Sequence, residues 1–221
     1  MSSEINKVNE NAWSTDSNGK RWEDYDTIVC PNGDVIDMQK LIDDQNRAKA
    51  ALLHLQPFFA AFVGKLRPVY TFRIQTQATD GVNLFINPQF TAKLSLTEKC
   101  FVLAHEIMHC VLNHLRRGKS HNPQRSNIAA DYECNITLSD DKNGMGLFKK
   151  ATIKGMDAYI NDKYSGLGYE AIYNDVNDSS NDSMDNSDQA NQSKQNNQLT
   201  QDYIDGWNKA MEDYKNGKLK I

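Results

Sequence analysis

Histidine, proline and cysteine are scarce in this 221-residue chain, at five, five and four residues. The cysteines, Cys30, Cys100, Cys110 and Cys134, form no CxxC pair and sit mostly inside apolar patterns, which argues for buried free thiols and against a disulfide framework. Basic charge is not in excess: 25 Lys and Arg face 29 Asp and Glu, for a net charge of -4. The chain as a whole therefore has no general electrostatic reason to bind nucleic acid or an anionic membrane, although basic residues cluster locally, for example at Arg116, Arg117 and Lys119. No apolar run is long enough to span a bilayer, and the opening MSSEINKVNENAWS lacks a basic region followed by an apolar one, so a cytoplasmic location is expected. Hydrophobic residues make up only 39%, which leaves enough for one core but not for the whole length.

The scarce histidines are concentrated. Three of the five lie between Thr97 and Arg117, TEKCFVLAHEIMHCVLNHLRR, and His105, Glu106 and His109 spell HExxH. Apolar residues from Phe101 to Leu115 recur at helical spacing, Ser95 and Glu98 fit a capping box, and Gly118 stands where a C-terminal cap would end the helix. A helix turns about 100° per residue, so His105 and His109 lie one above the other with Glu106 beside them. That arrangement suits zinc held by two imidazoles, with a carboxylate placed to act on the attacking water.

A catalytic zinc takes three protein ligands, and the third must come from elsewhere. His114, Asp131, Glu133 and His121 are the candidates. On a continuous helix His114, nine residues after His105, lies about half a turn off the metal face, which assigns it a supporting role unless the helix breaks at Asn113. No glycine is present there to turn the chain back. Asp131 falls on a separate periodic segment, Asn127 to Leu138, that can fold back across the first helix, and it is the preferred ligand, with Asn135 one turn later placed to orient it. Glu133 points off that face and His121 sits in a loop. His54 qualifies by residue type alone; the sequence does not identify an oxyanion donor, and His121, Tyr132, Tyr159 and Tyr164, candidates by residue type, are more often packing or surface residues.

The remaining organisation follows from composition. Residues 1–27 are polar and expected to be loosely docked. Thr27 to Met38 carries a Pro-Asn-Gly turn signal, read as a small hairpin or a helix lead-in. A helical period runs from Asp37 to Val63, to be split at Pro57. Two β-rich runs between Arg67 and Phe90 flank Asp80-Gly81, a hairpin signal, and offer an edge for pairing with an extended substrate. A short helix is expected over Gly168 to Val176. Residues 28–176 thus form the main domain, 177–198 an Asn/Ser/Asp/Gln linker expected to be disordered, and 199–221 a terminal helix able to dock on a partner.

AHEIMHCVLNHLRRG, NIAADYECN and KYSGLGYEAIYNDV, in that order, resemble the metallopeptidase-like domain often found beside von Willebrand A-type domains in bacterial and phage proteins. The resemblance covers roughly residues 41–176. It implies an α+β, zincin-like fold with a metal helix, a short mixed sheet and a following helix that carries the third ligand, and it places the family pattern on His105, Glu106, His109 and Asp131. No von Willebrand A-type domain follows in this sequence. The function expected is zinc-dependent cleavage of a peptide or protein substrate. The alternatives are a catalytically silent binding module and a metal hydrolase of a non-peptide bond.

Overall fold

A computed structural model describes residues 14–16, 18–30 and 32–182, with side chains to 176. The expected 199–221 helix and all but the first residues of the linker lie outside the described residues. The architecture is α+β, and the described residues divide into two units, one ending at Glu106 and the other beginning at Ile107. The boundary falls within one helix.

In the first unit, strands β1 (Thr27–Val29) and β2 (Val35–Asp37) form an antiparallel hairpin closed by Gly33 at φ 88°. The Asp37 carboxylate then accepts the Lys40 amide at 2.8 Å and caps helix α1 (Met38–Leu55), so the run from Thr27 is both hairpin and helix lead-in. Pro57 ends α1 as expected: it has no amide to donate and opens a 3-10 turn, Pro57–Phe59, that leads into α2 (Ala60–Val63). Met38, Leu41, Ala48 and Leu52 make the buried stripe of α1. The residues from 14 to 27, expected to be loose, contain a buried anchor. Trp22 is 1% exposed and meets Phe72 edge-to-face at 5.6 Å.

The sheet of this unit is mixed. β4 (Gln77–Thr79) and β5 (Asn83–Ile86) form the hairpin expected at Asp80-Gly81, where the Asp80 Oδ1 accepts the amides of Val82 and Asn83 and Gly81 takes φ 87°. β3 (Arg67–Tyr70) pairs with β5 in parallel, Arg67 opposite Asn83 and Tyr70 opposite Ile86, which puts β5 in the centre. The Arg67 and Thr71 amides reach the carbonyls of Val82 and Ile86 at 2.9 Å each, and Pro68 stands between them. β4 is buried throughout, whereas Arg67 and Pro68 are exposed. α3 (Pro88–Thr91), capped by Asn87, then leads to α4 (Leu96–Val111).

The capping box on α4 forms: the Ser95 amide donates to Glu98 Oε2 at 2.7 Å and the Glu98 amide to Ser95 Oγ at 3.3 Å. The other end of the helix departs from expectation. The ladder stops at Leu112, Asn113 adopts a left-handed conformation (φ 58°, ψ 35°), and a short helix α5 (His114–Arg117) starts in a new direction. Gly118 does not cap in the left-handed region. It lies close to Ser126, whose Oγ would have to turn aside for a Cβ at this position.

In the second unit, α6 (Pro123–Ser139) is longer than the periodic segment suggested, because Asn122 caps it by accepting the Arg125 amide and Pro123 occupies the first turn. α7 (Lys150–Gly155) follows, and α8 (Tyr169–Asp182) begins at the expected helix and runs beyond it. Ala129 and Ala130 of α6 let Tyr164, Tyr169 and Ile172 pack closely against them, and this small core fixes α6 against α8.

Candidate metal centre

Helix α4 carries both motif histidines, one turn apart, and continues unbroken through them. Glu106 is 5% exposed, and the side chain of His109 is half-buried. Among the described residues, one group offers donor atoms suited to a metal: His105, His109 and Cys134 each present one, all within 4.8 Å of one another. Donors about a tetrahedral zinc with bonds of about 2.0 to 2.3 Å stand about 3.3 to 3.8 Å apart, so small side-chain rotations would gather these three around one ion. Two imidazoles with a thiolate or carboxylate form the borderline-soft set that zinc prefers, and the residues therefore fit that metal.

Asp131, on α6, faces the same histidine. Its Oδ1 lies 3.3 Å from His109 Nε2 and its Oδ2 accepts from Asn127 Nδ2 at 3.2 Å. Asn127 thus helps to orient Asp131. Asn135, one turn further along α6, is fully buried and donates to the Tyr159 carbonyl at 2.5 Å.

His114 is where the broken helix matters. With Asn113 left-handed, the half-turn offset of a continuous helix no longer applies. The His114 Nδ1 comes to 3.1 Å from His109 Nδ1, and its Nε2 lies 2.6 Å from Glu133 Oε2. Asparagine is the residue other than glycine that most readily takes this conformation, and that was the signal available in the sequence. Glu133 also accepts from Arg117 Nη1 at 3.1 Å, and Arg117 forks onto both oxygens of Glu170 at 2.9 and 2.7 Å.

Cys134, read from sequence as a buried thiol, is fully buried and lies 3.7 Å from His114 Nδ1. Its spacing of three from Asp131 on a helix was enough to place both on one side of α6. His121 is engaged elsewhere: it stacks on Tyr173 at 4.2 Å and its Nδ1 meets the Tyr169 hydroxyl at 2.8 Å, while that hydroxyl also meets Ser126 Oγ at 2.7 Å. Burial raises the Tyr169 phenol above its ordinary range and keeps it protonated. Tyr132 packs between Tyr159 and Tyr164, and Tyr164 donates to Asp175 at 2.8 Å. His54 is exposed on α1.

The Arg117 fork holds the Glu170 carboxyl down to about 2, below its ordinary 4.5. An acid depressed by folding stabilises the native state above its unfolded value, and that stabilisation disappears as pH falls towards the folded value. The stability difference between wild type and Glu170→Gln is therefore expected to be full above about pH 4.5 and to vanish near pH 2. Glu170 is 62% exposed, so solvent screening limits the difference to about 1 kcal/mol or less. Denaturant midpoints across that pH range measure it, and a difference that grows on acidification would contradict the ion pair.

One family model, described as "Putative metallopeptidase domain", matches residues 41–220. No curated protein and no solved structure matches the chain.

Proposed function

The chain belongs to that family, and from this premise we propose that it is a zinc-dependent peptidase whose metal is held by His105, His109 and Asp131 and whose general base is Glu106. The observation that carries the reading is the placement of a carboxylate, Asp131 Oδ1 on the separate helix α6, 3.3 Å from His109 Nε2. Zinc at this position would supply Lewis acidity, polarising a peptide carbonyl and making a water easier to deprotonate.

The chain's own residues do the rest. Glu106 follows His105 directly on α4 and is almost fully buried, which places its carboxylate in a low-dielectric setting suited to proton transfer. It takes a proton from the attacking water and delivers it to the amine that leaves. Asn127 keeps Asp131 turned toward His109. The substrate is a peptide or protein segment in extended form, and β3, at the edge of the sheet, is the strand at which it would pair, through the Tyr70 amide rather than at Pro68, which has no N–H to give.

Cys134 gives a second reading its observation. A thiol joining two histidines and an aspartate would fill all four positions of a tetrahedral zinc, as in structural sites that leave no place for water. The chain would then be a silent binding module.

Metal analysis combined with a peptide-library digest separates the two. The peptidase reading expects about one zinc per chain and hydrolysis lost on chelation and restored by zinc. One tightly held zinc with no hydrolysis of any library peptide would favour the silent module, and a chain that takes up no metal would overturn both.

A further inference from the structure

We propose that a cavity between helix α6 and the turn at 166–168 is a binding site for an alkylammonium or guanidinium group, as carried by a lysine or arginine side chain. None of the residues lining it is a proposed metal ligand or the general base, so it stands apart from the peptidase reading.

The cavity measures about 210 Å³ and is lined on one side by Glu133, Ile136 and Asp140 and on the other by Leu167 and Gly168. Pockets for drug-sized ligands begin at about 300 Å³, so this one suits a single side chain or head group. Residues 133, 136 and 140 share one face of a helix, and seven residues put Glu133 and Asp140 about 10 Å apart along its axis. Both acids are buried, at 7% exposed each.

The two carboxyl groups differ in what they already hold. Asp140, the C-cap of α6, accepts the Lys142 and Asn143 amides on Oδ1 and the Ser165 hydroxyl on Oδ2. The Ser165 bond, seconded by the Lys142 amide, holds its carboxyl below the ordinary range and makes this end of the cavity negative. Glu133 is committed on one oxygen only. Its Oε2 meets His114 Nε2 at 2.6 Å and Arg117 Nη1 at 3.1 Å, whereas its Oε1 has no hydrogen bond among the described residues. That oxygen faces the cavity wall at Gly168, where an added Cβ would stand 3.7 Å from it. A buried carboxylate oxygen without a donor is costly, and a donor that enters the cavity would satisfy it.

The rest of the lining selects the donor. No basic residue is among it, and Arg117, close behind Gly168, spends its N–H groups on Glu133 and on both oxygens of Glu170. An anion would meet two acids, while a cation with N–H groups meets one open acceptor and a second negative end. Ile136 is buried and Leu167 stands 42% exposed at the rim, and both offer apolar contact to a methylene stem. An apolar wall beside a carboxylate is what a lysine or arginine side chain requires, since its stem and head differ in the same way.

The test is nuclear magnetic resonance on the full chain labelled with 15N, titrated with N-acetyl-arginine amide and N-acetyl-lysine amide. Both are expected to shift the Asn143, Gly166 and Gly168 amide signals saturably, and the uncharged N-acetyl-norleucine amide is expected to leave them in place. Leu167→Lys changes an exposed position and brings an ammonium of its own to the rim, so it should weaken both probes about 10-fold or more. Gly168→Ala adds only an ordinary contact beside Oε1 and should weaken them by less. An alanine-flanked arginine peptide that binds more tightly than the capped residue assigns the group to a peptide, and equal affinity assigns it to a free amine; either supports the site. No saturable shift, an equal response to the norleucine probe, unchanged affinity in Leu167→Lys, or a response to calcium chloride in place of the amines would each overturn the proposal. The readout is binding alone, so it decides the matter even if the chain proves to hold no metal and to cleave nothing.

Discussion

Glu106→Gln is expected to retain its zinc and to hydrolyse peptides about 100- to 10,000-fold more slowly than the wild type. The substitution keeps the size of the side chain and its ability to accept a hydrogen bond, and it removes the capacity to take up a proton at neutral pH. Glu106 is 5% exposed, so a larger change would confound a folding defect with a chemical one, and the isosteric amide avoids this. Metal content measured on the same sample separates loss of the base from loss of the ion. Full activity in the variant would remove Glu106 from the mechanism, whatever the fate of the metal.

Trp22→Ala is expected to cost about 3 to 5 kcal/mol of stability, the range for truncating a fully buried large aromatic side chain. The residue is 1% exposed and stands edge-to-face with Phe72, with Tyr25 at 6.1 Å on another side. Denaturant unfolding followed by far-ultraviolet circular dichroism gives the difference in midpoint and slope. A loss under about 1 kcal/mol would mean that Trp22 covers the unit without being part of its core.

These two residues also show what the sequence could and could not convey. HExxH on a capped amphipathic helix is a local pattern, and the Ser95–Glu98 box, the stop at Pro57 and the Asp80-Gly81 turn are equally local; each depends on residues within a turn or two, and each was legible. Trp22 was not, because it sits among polar neighbours and its partner Phe72 is fifty residues away. The parallel pairing of β3 with β5 has the same cause: a hairpin signal names adjacent strands and is silent about a third that arrives from outside. At the candidate metal centre, helix phase assigned Asp131 and His109 to facing elements. It assigned His114 to the far side only because a continuous helix was assumed. Asn113 carried the break in its side-chain type, a weaker signal than glycine. Cys134 was hidden by its ordinary appearance, since a thiol among apolar residues is most often only packing.

The outward edge of β3 has a bearing on solubility. Side-by-side strands alternate which backbone groups face the neighbour, and the Arg67 and Thr71 amides face β5, so positions 68 and 70 turn to the open side. The first of these is Pro68, which has no N–H to give. A second copy of the sheet stacking against this edge would find a donor only at Tyr70, and open-ended growth from strand to strand is blocked at its first rung.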